Sequence, residues 1–109
     1  MESGGPGFVV IYRWRLHPGK EQSFVDAWSA RTRQLLKTSG SLGSRLHRGP
    51  DHMWYAYAQW ESADARRRAF EESEDAVLRA QMSSAIAETF PEMILESVAD
   101  LLTVGTAEC

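Results

Sequence analysis

The feature that most constrains the fold is a change of hydrophobic period near the start of the chain. From Phe8 to Leu16 the sequence is dense in β-branched and aromatic residues, and Arg13 and Arg15 alternate there with large apolar side chains. This pattern is typical of a strand with one buried face. The turn residues His17-Pro18-Gly19 follow, and from about Lys20 the apolar residues recur at helical spacing. The chain therefore begins with a strand that leads directly into a long amphipathic helix.

Turn and helix signals divide the rest of the chain into further elements. Gly40 is a candidate C-terminal cap for the long helix, Ser62 a candidate N-cap, and Pro91 a candidate helix stop. The remaining predicted elements are a strand at Leu42–Arg48, a strand at Met53–Trp60, helices at Ser62–Phe70 and from about Glu74 up to Pro91, and a strand at Met93–Val104. This order predicts an α+β, ferredoxin-like split β-α-β fold, with a four-stranded antiparallel sheet and both crossover helices on one face.

The other face of such a sheet needs a second partner. Alternation places Val9 and Ile11 on one side of the first strand, and Tyr55 and Tyr57 on one side of the third. Whichever sides face outward, a monomer would leave large apolar groups in water, at a cost of about 25 cal/mol per Å². We therefore expect a homodimer that pairs the sheet faces and forms a homodimeric α/β barrel.

Composition limits the domain organisation and the partners. The chain has 109 residues, with 15 acidic against 12 basic ones, so it fits one domain and has no excess of positive charge for binding nucleic acid. The predicted organisation is a flexible leader at 1–7, the domain at 8–104 and a tail at 105–109. No apolar run reaches the roughly 18 residues that span a bilayer, so no membrane partner is expected. The single cysteine, Cys109, excludes an intrachain disulfide and favours a cytoplasmic protein.

Two segments of the chain resemble a known family. One is the opening V-V-I-Y-R-W-R-L-H-P-G-K-E with the long helix after it, and the other is Trp60-Glu61-Ser62, followed by Ala63-Asp64-Ala65 and then Phe70. Both are similar to the antibiotic biosynthesis monooxygenase-like family of the dimeric α/β-barrel superfamily, and the resemblance covers Phe8 to Val104. It implies a homodimeric barrel with one pocket per subunit between the sheet and the helices. Similar barrels host oxygenases, haem-degrading enzymes, isomerases and proteins of no known activity.

The residues that haem-degrading members of the family use can be compared with the corresponding positions of this chain. Members that degrade haem use an Asn on the first strand, a Trp at the end of the third, and a His on the following helix. The corresponding residues here are Tyr12, Trp60 and Phe70, and no His occurs after His52. Two of the three functional residues, including the axial ligand of the haem iron, are therefore absent. Haem degradation is not expected, and no cofactor is predicted.

The family's cofactor-independent oxygenases convert phenolic polycyclic substrates to quinones. The deprotonated substrate is electron-rich enough to pass an electron to dioxygen, so the pocket has to hold a flat ring, exclude water and stabilise an anion. If the resemblance aligns the strands correctly, Tyr12 and Trp60 face one pocket, and strand parity adds further residues. The predicted substrate-binding residues are Trp60, Trp14, Trp54, Ala56, Ala58, Trp28 and Phe70. The two alanines leave room for a flat ligand, unless helix side chains such as Trp28 and Phe24 fill that space.

The candidates for the catalytic base or the anion partner are His47, the phenol of Tyr12, and Arg66 or Arg79 from the helices. A His titrates near neutral pH and an Arg stabilises a phenolate, so His47 and Tyr12 are the predicted catalytic residues. The family's oxygenases commonly use an Asn in this role, and this chain contains no Asn. The spacing of the three histidines gives no metal signal, so no metal is predicted.

Three functions remain open at this point. The leading prediction is a cofactor-independent monooxygenase acting on a small aromatic or polyketide-like substrate. The second is a non-catalytic dimeric module that binds a small molecule. The third keeps the fold and assigns isomerase or cyclase chemistry.

Overall fold

In the computed structural model of the chain, residues 7–38 and 40–103 are described. They form β1 (Phe8–Leu16), α1 (Glu21–Leu36), β2 (Ser41–Arg48), β3 (Met53–Trp60), α2 (Ala63–Glu72), α3 (Ala76–Ala85) and β4 (Ile86–Leu95), with a short 3-10 turn at Pro50–His52 before β3. Apart from Gly7, the predicted leader lies outside the described residues, as does the whole predicted tail at 105–109.

The four strands form one antiparallel sheet in the order β2-β3-β1-β4. All three helices lie on the same face of it, because Leu35 of α1 and Ala69 of α2 pack with Val10 of β1, while Ala85 of α3 packs with Trp14 four residues further along that strand. This arrangement confirms the predicted α+β, ferredoxin-like fold.

The last strand begins seven residues earlier than the sequence pattern predicts. Instead of running over Met93–Val104, β4 starts at Ile86 and ends at Leu95, and α3 ends at Ala85 rather than near Pro91. The prediction was wrong because Pro91 was read as a helix stop. It lies within a strand on the edge of the sheet, where a proline costs little.

A β-bulge explains how β4 accommodates this proline. The register of β4 against β1 shifts at this point, so that Pro91 and Glu92 together stand opposite Tyr12. At a bulge the ladder of hydrogen bonds is locally interrupted, so the missing N–H of Pro91 is tolerated. The extra residue also directs Glu92 toward α2, where it contacts Arg66.

Gly40 has a different role from the predicted helix cap. α1 ends at Leu36 with Lys37 as its C-cap, which leaves Gly40 beyond the helix. Gly40 has a φ of 106°, and an added Cβ would overlap the side chain of Ala65 at the start of α2. The glycine is therefore needed both for its left-handed backbone and for the close approach of α2. The predicted N-cap of α2 is confirmed, because Ser62 Oγ accepts the N–H of Ala65 at 3.0 Å.

The sheet face opposite the helices, the second face, carries residues that were predicted to contact a second subunit. Ile11 and Tyr57 are paired across β1 and β3, and Tyr55 lies on the same side; all three are half-buried. Leu102, an exposed apolar residue after β4, borders a depression on this face together with Tyr57. This unpaired apolar surface is what the homodimer prediction requires. None of the helices in the described ranges is long and apolar enough to cross a membrane.

Candidate functional site

A cavity of about 390 Å³ lies between the sheet and the helices. Its volume falls in the range of small-molecule sites. The sheet contributes Tyr12, Trp14, Ala58, Trp60, Ser41, Gly43 and Ser44 to its wall. The helices and the α2–α3 connection contribute Trp28, Arg31, Thr32, Leu35, Phe70, Glu74, Asp75, Arg79 and Met82. The apolar part of this wall is largely aromatic, which suits a flat ligand.

The structure brings together most of the residues predicted to bind the substrate. Trp60, Trp14, Ala58, Trp28 and Phe70 all line the cavity, together with Tyr12. The Phe70 ring lies 5.6 Å from that of Trp60, and the rings of Tyr12 and Trp14 are stacked at 5.8 Å. These pairs form aromatic walls on two sides of the space.

Trp54 and Ala56 lie on the predicted face of β3 but do not reach the cavity. Both pack in a closed cluster with Phe24 of α1, whose ring is 6.4 Å from that of Trp54 and 5.0 Å from that of Trp14. Phe24 and Ala56 have no exposed surface. The space above Ala56 is therefore filled by a helix side chain, whereas the space above Ala58 is open.

His47 lies on the opposite face of the sheet from the cavity. It pairs with Tyr55 in the β2–β3 ladder, while its neighbour Leu46 pairs with Ala56 on the helix side. Because successive strand residues point to opposite faces, the imidazole faces away from Tyr12. The structure does not bring the two predicted catalytic residues into one site, and His47 adjoins a separate surface depression with Tyr57 and Leu102.

Tyr12 belongs instead to a chain of polar contacts that crosses from the cavity to the edge of the sheet. Its phenol oxygen accepts a hydrogen bond from Arg66 Nε at 3.1 Å, and Arg66 Nη2 donates to both carboxylate oxygens of Glu92 at 2.9 Å. The guanidinium also lies over the rings of Tyr12 and Phe70, at 5.6 and 5.4 Å. The bulge in β4 provides the Glu92 end of this chain, and α2 provides Arg66.

Burial raises the pKa of the Tyr12 phenol above its ordinary value of 10.0, and the adjacent positive charge of Arg66 offsets part of this effect. The phenol is therefore protonated at neutral pH. Since its oxygen already accepts from Arg66, its own O–H is left to donate to another group. Tyr12 is thus placed as a hydrogen-bond donor to a ligand rather than as a base.

Trp60 provides a second donor. The residue is only 3% exposed, and its indole Nε1–H is buried without a hydrogen-bond partner among the described residues. A buried unpaired N–H is costly, and most such groups in proteins have a protein, water or ligand acceptor. The Trp60 side chain lies in the cavity wall, so a ligand in the cavity is a candidate source of the missing acceptor.

Charged residues are concentrated on the helix side of the cavity. Glu74 and Arg79 form an exposed ion pair at 3.2 Å. Asp75 caps α3 by accepting the N–H of Leu78, and its second oxygen accepts from Gln34 at 2.7 Å. These two hydrogen bonds lower the pKa of the Asp75 carboxyl, so Asp75 is a poor proton acceptor.

Sequence reasoning missed Arg31 and Thr32. Both lie on the face of α1 that also presents Trp28 and Leu35, since residues three, four and seven positions apart share a helix face. The helical spacing placed Thr32 beside the apolar residues of that stripe but assigned it to no site, although a polar residue within the stripe was a signal for a cavity. Within the described part of the chain, no cluster of three or more His, Cys, Asp or Glu side chains could hold a metal ion.

Comparison with protein families places this site in context. The family model described as antibiotic biosynthesis monooxygenase matches residues 7–81 of the chain. The match includes β1 to α2, most of α3 and nearly all of the cavity wall. Among curated protein sequences, none matches the chain significantly.

Several solved structures share the fold. SnoaB, a cofactor-independent oxygenase from Streptomyces nogalater, superimposes with a TM-score of 0.75 at 15% identity, over 89% of this chain and 98% of SnoaB. PA3566 from Pseudomonas aeruginosa gives 0.69 at 18% identity, over 90% and 100% of the two chains. Rv0793 from Mycobacterium tuberculosis gives 0.73 at 14% identity, over 87% and 98%. At these identities the likeness concerns the fold alone.

Proposed function

We propose, since this chain belongs to the antibiotic biosynthesis monooxygenase family, that it is a cofactor-independent monooxygenase acting on a phenolic aromatic or polyketide-like substrate in the cavity. The observation that carries the proposal is the pairing of aromatic walls with two donors that have no acceptor among the described residues, the buried Trp60 N–H and the Tyr12 O–H. Hydrogen-bond donors that have no other acceptor stabilise a negatively charged oxygen, and the phenolate form of the substrate carries such an oxygen. The likeness to SnoaB adds support at the level of the fold.

In the proposed reaction, a phenol and dioxygen give a quinone and water. The phenolate passes one electron to dioxygen, and the resulting radical pair forms a carbon–oxygen bond para to the phenolate oxygen. The peroxide is protonated, its O–O bond breaks, and the para carbon loses its proton to leave a carbonyl. One oxygen atom enters the ring, the other leaves as water, and the ring supplies all four electrons.

The chain's own residues would hold and polarise the substrate in this reaction. Trp60 and Tyr12 donate hydrogen bonds to the phenolate oxygen, which favours ionisation of the substrate. Arg66 holds the Tyr12 hydroxyl in place and is itself fixed by Glu92. The phenol proton leaves to solvent through the open side of the cavity, where Glu74 and Arg79 are more than half exposed.

The position of His47 favours one alternative, a non-catalytic module that binds an aromatic ligand. None of the three histidines, all of which the structure describes, lines the cavity, and the carboxylate of Asp75 is a weak base because its pKa is lowered. A binding module needs only the aromatic walls and the donors. An isomerase or cyclase would need a group that moves a proton between carbon atoms, and His47 does not reach the cavity.

The subunit arrangement and the cellular setting are proposals of the same kind. A homodimer would cover Ile11, Tyr55 and Tyr57 on the second face of the sheet, and the exposed Leu102 beside Tyr57 supports this arrangement. We also propose a cytoplasmic setting, on the grounds of the single cysteine.

Oxygen uptake tests the proposed function. Wild-type protein, free of added flavin and metal, is expected to consume oxygen with some members of a panel of fused-ring phenols. Trp60→Phe keeps an aromatic wall but removes the donor, so the rate should fall on the order of a hundredfold. Trp54→Phe is the matched control, because Trp54 lies on the same strand face outside the cavity, and its rate should stay near wild type.

Two results would count against the enzyme. No uptake by the wild type with any phenol of the panel, accompanied by binding of those phenols, would favour the binding module. Equal losses in Trp60→Phe and Trp54→Phe would show that the indole N–H of Trp60 has no special role.

A further inference from the structure

One guanidinium in the cavity wall has only neutral partners. Arg31 Nη1 donates to Gln34 Oε1 and to Ser73 Oγ, both at 3.1 Å, and the guanidinium carbon lies 5.7 Å above the ring of Phe70. None of the ion pairs among the described residues includes Arg31. A half-buried arginine in a ligand cavity is therefore held in position without a neutralising acid.

The acidic residues nearby are already engaged. Glu74 pairs with Arg79, and the two carboxylate oxygens of Asp75 accept from Leu78 and Gln34. Arg31 makes no ion pair with Asp75, but its positive charge contributes to lowering the pKa of the Asp75 carboxyl. Arg31 is thus the cation of the cavity wall whose own charge is least compensated.

The geometry of the side chain selects the kind of anion. An arginine carries five N–H groups in a planar fork, and the two on Nη1 are used by Gln34 and Ser73. The edge formed by Nε and Nη2 has no acceptor among the described residues. That edge matches two oxygens of one carboxylate, which it binds side-on through two parallel hydrogen bonds.

We propose that Arg31 binds a carboxylate of the substrate, which makes the substrate class of this cavity a fused-ring phenolic acid. The inference rests on the proposed function for the phenol end of the ligand. Phe70 links the two ends, because its ring lies 5.6 Å from the Trp60 ring and 5.7 Å from the Arg31 guanidinium carbon. Trp60, Phe70 and Arg31 all line the cavity, and the proposed acid spans the space between Trp60 and Arg31.

The test compares an acid with its ester in the absence of oxygen. The probes are 4-hydroxy-2-naphthoic acid and its methyl ester, titrated by calorimetry under nitrogen so that binding is measured without turnover. The wild type is expected to bind the acid at least roughly tenfold more tightly than the ester, as charge-assisted hydrogen bonds predict. Arg31→Gln should lose this preference, so that its affinities for the acid and the ester become similar.

A neighbouring arginine provides the control. Arg33 lies on the same helix but is exposed and outside the cavity, so Arg33→Gln should keep the preference for the acid. Arg31→Lys retains the positive charge but loses the planar pair of donors, so it should keep only part of the preference for the acid. Equal affinities for acid and ester in the wild type, a preference that survives in Arg31→Gln, or no binding of either probe would each overturn the inference.

The same probes separate this inference from the proposed function. A preference for the acid that depends on Arg31, in a protein that consumes no oxygen with it, would sustain the carboxylate site and reject the monooxygenase. Oxygen uptake as fast with the ester as with the acid, together with equal affinities, would sustain the monooxygenase and reject the carboxylate site.

Discussion

Ala56 and Ala58 face the helices from the same strand, two residues apart, yet their surroundings differ. Phe24 and Ala85 pack in a buried cluster with Ala56, and none of these three residues lines the cavity. Above Ala58 the neighbours are Leu35 and residues at the margin of the cavity. Strand alternation assigns both alanines to the helix side, but it cannot tell which of them lies under a bulky helix residue.

The difference shows that one sheet face serves two purposes. Its filled half, with Trp54, Ala56 and Phe24, supplies the packed core, its open half keeps space for a ligand, and Trp14 borders both. Phe24 is the one phenylalanine of α1, and the inward positions after it carry the small, buried Ala27 and then the cavity-lining residues Trp28, Arg31 and Thr32. A polar pair at these positions leaves the cavity unfilled beyond Trp28.

The largest expected effect comes from removing the residue that fills the closed half. Phe24→Ala should lower the free energy of unfolding by about 3–5 kcal/mol, because a fully buried ring is replaced by a cavity in a packed core. Phe70→Ala is the counterpart in the open half and should cost less than half as much, since Phe70 is only partly buried beside existing space. Urea unfolding measures both; equal losses would contradict the division into two halves.

A second pair of variants adds volume instead of removing it. Ala56→Leu should lower the unfolding free energy by about 1–3 kcal/mol, because the added atoms meet Phe24 and Trp54. Ala58→Leu can place the same atoms in the cavity, so its unfolding free energy should remain within about 0.5 kcal/mol of wild type. The opposite order of stabilities in urea unfolding would mean that the cavity lies elsewhere.

The smallest expected effect is alkaline destabilisation through Tyr12. Its folded pKa is raised above the ordinary value of 10.0, so the protonated phenol stabilises the folded chain below that pH. This contribution is lost as the pH rises through the folded pKa. Wild type should therefore lose stability above pH 10.0 more steeply than Tyr12→Phe. Tyr57→Phe, altered on the other sheet face, should follow the wild type; identical slopes for all three proteins would refute the role of burial.

Much of the fold could be predicted from the sequence because it depends on local patterns. The change of period after Leu16 and the Ser62 cap gave the order of elements up to α2. The start of β4 could not be predicted this way, since a proline in an edge-strand bulge has the same local appearance as a proline after a helix. Only the pairing of β4 with β1 distinguishes the two.

The site was predictable in its aromatic walls and not in its polar groups. Resemblance and parity predicted that Tyr12, Trp14 and Trp60 face one space, and all three lie in the cavity wall. The chain of contacts from Tyr12 through Arg66 to Glu92 depends on the bulge in β4. Trp54 is kept out of the cavity because the Phe24 ring of α1 packs against it. Both are tertiary effects that a periodic pattern does not contain.

The central claim, that the open half of the sheet is the ligand site, is tested most directly by filling it. Calorimetric titration of 1-naphthol under nitrogen should detect binding to the wild type and an affinity at least roughly tenfold lower for Ala58→Leu, measured on protein whose unfolding free energy is unchanged. Equal affinity of the two proteins for 1-naphthol would contradict the account, because the ligand would then bind outside the space above Ala58.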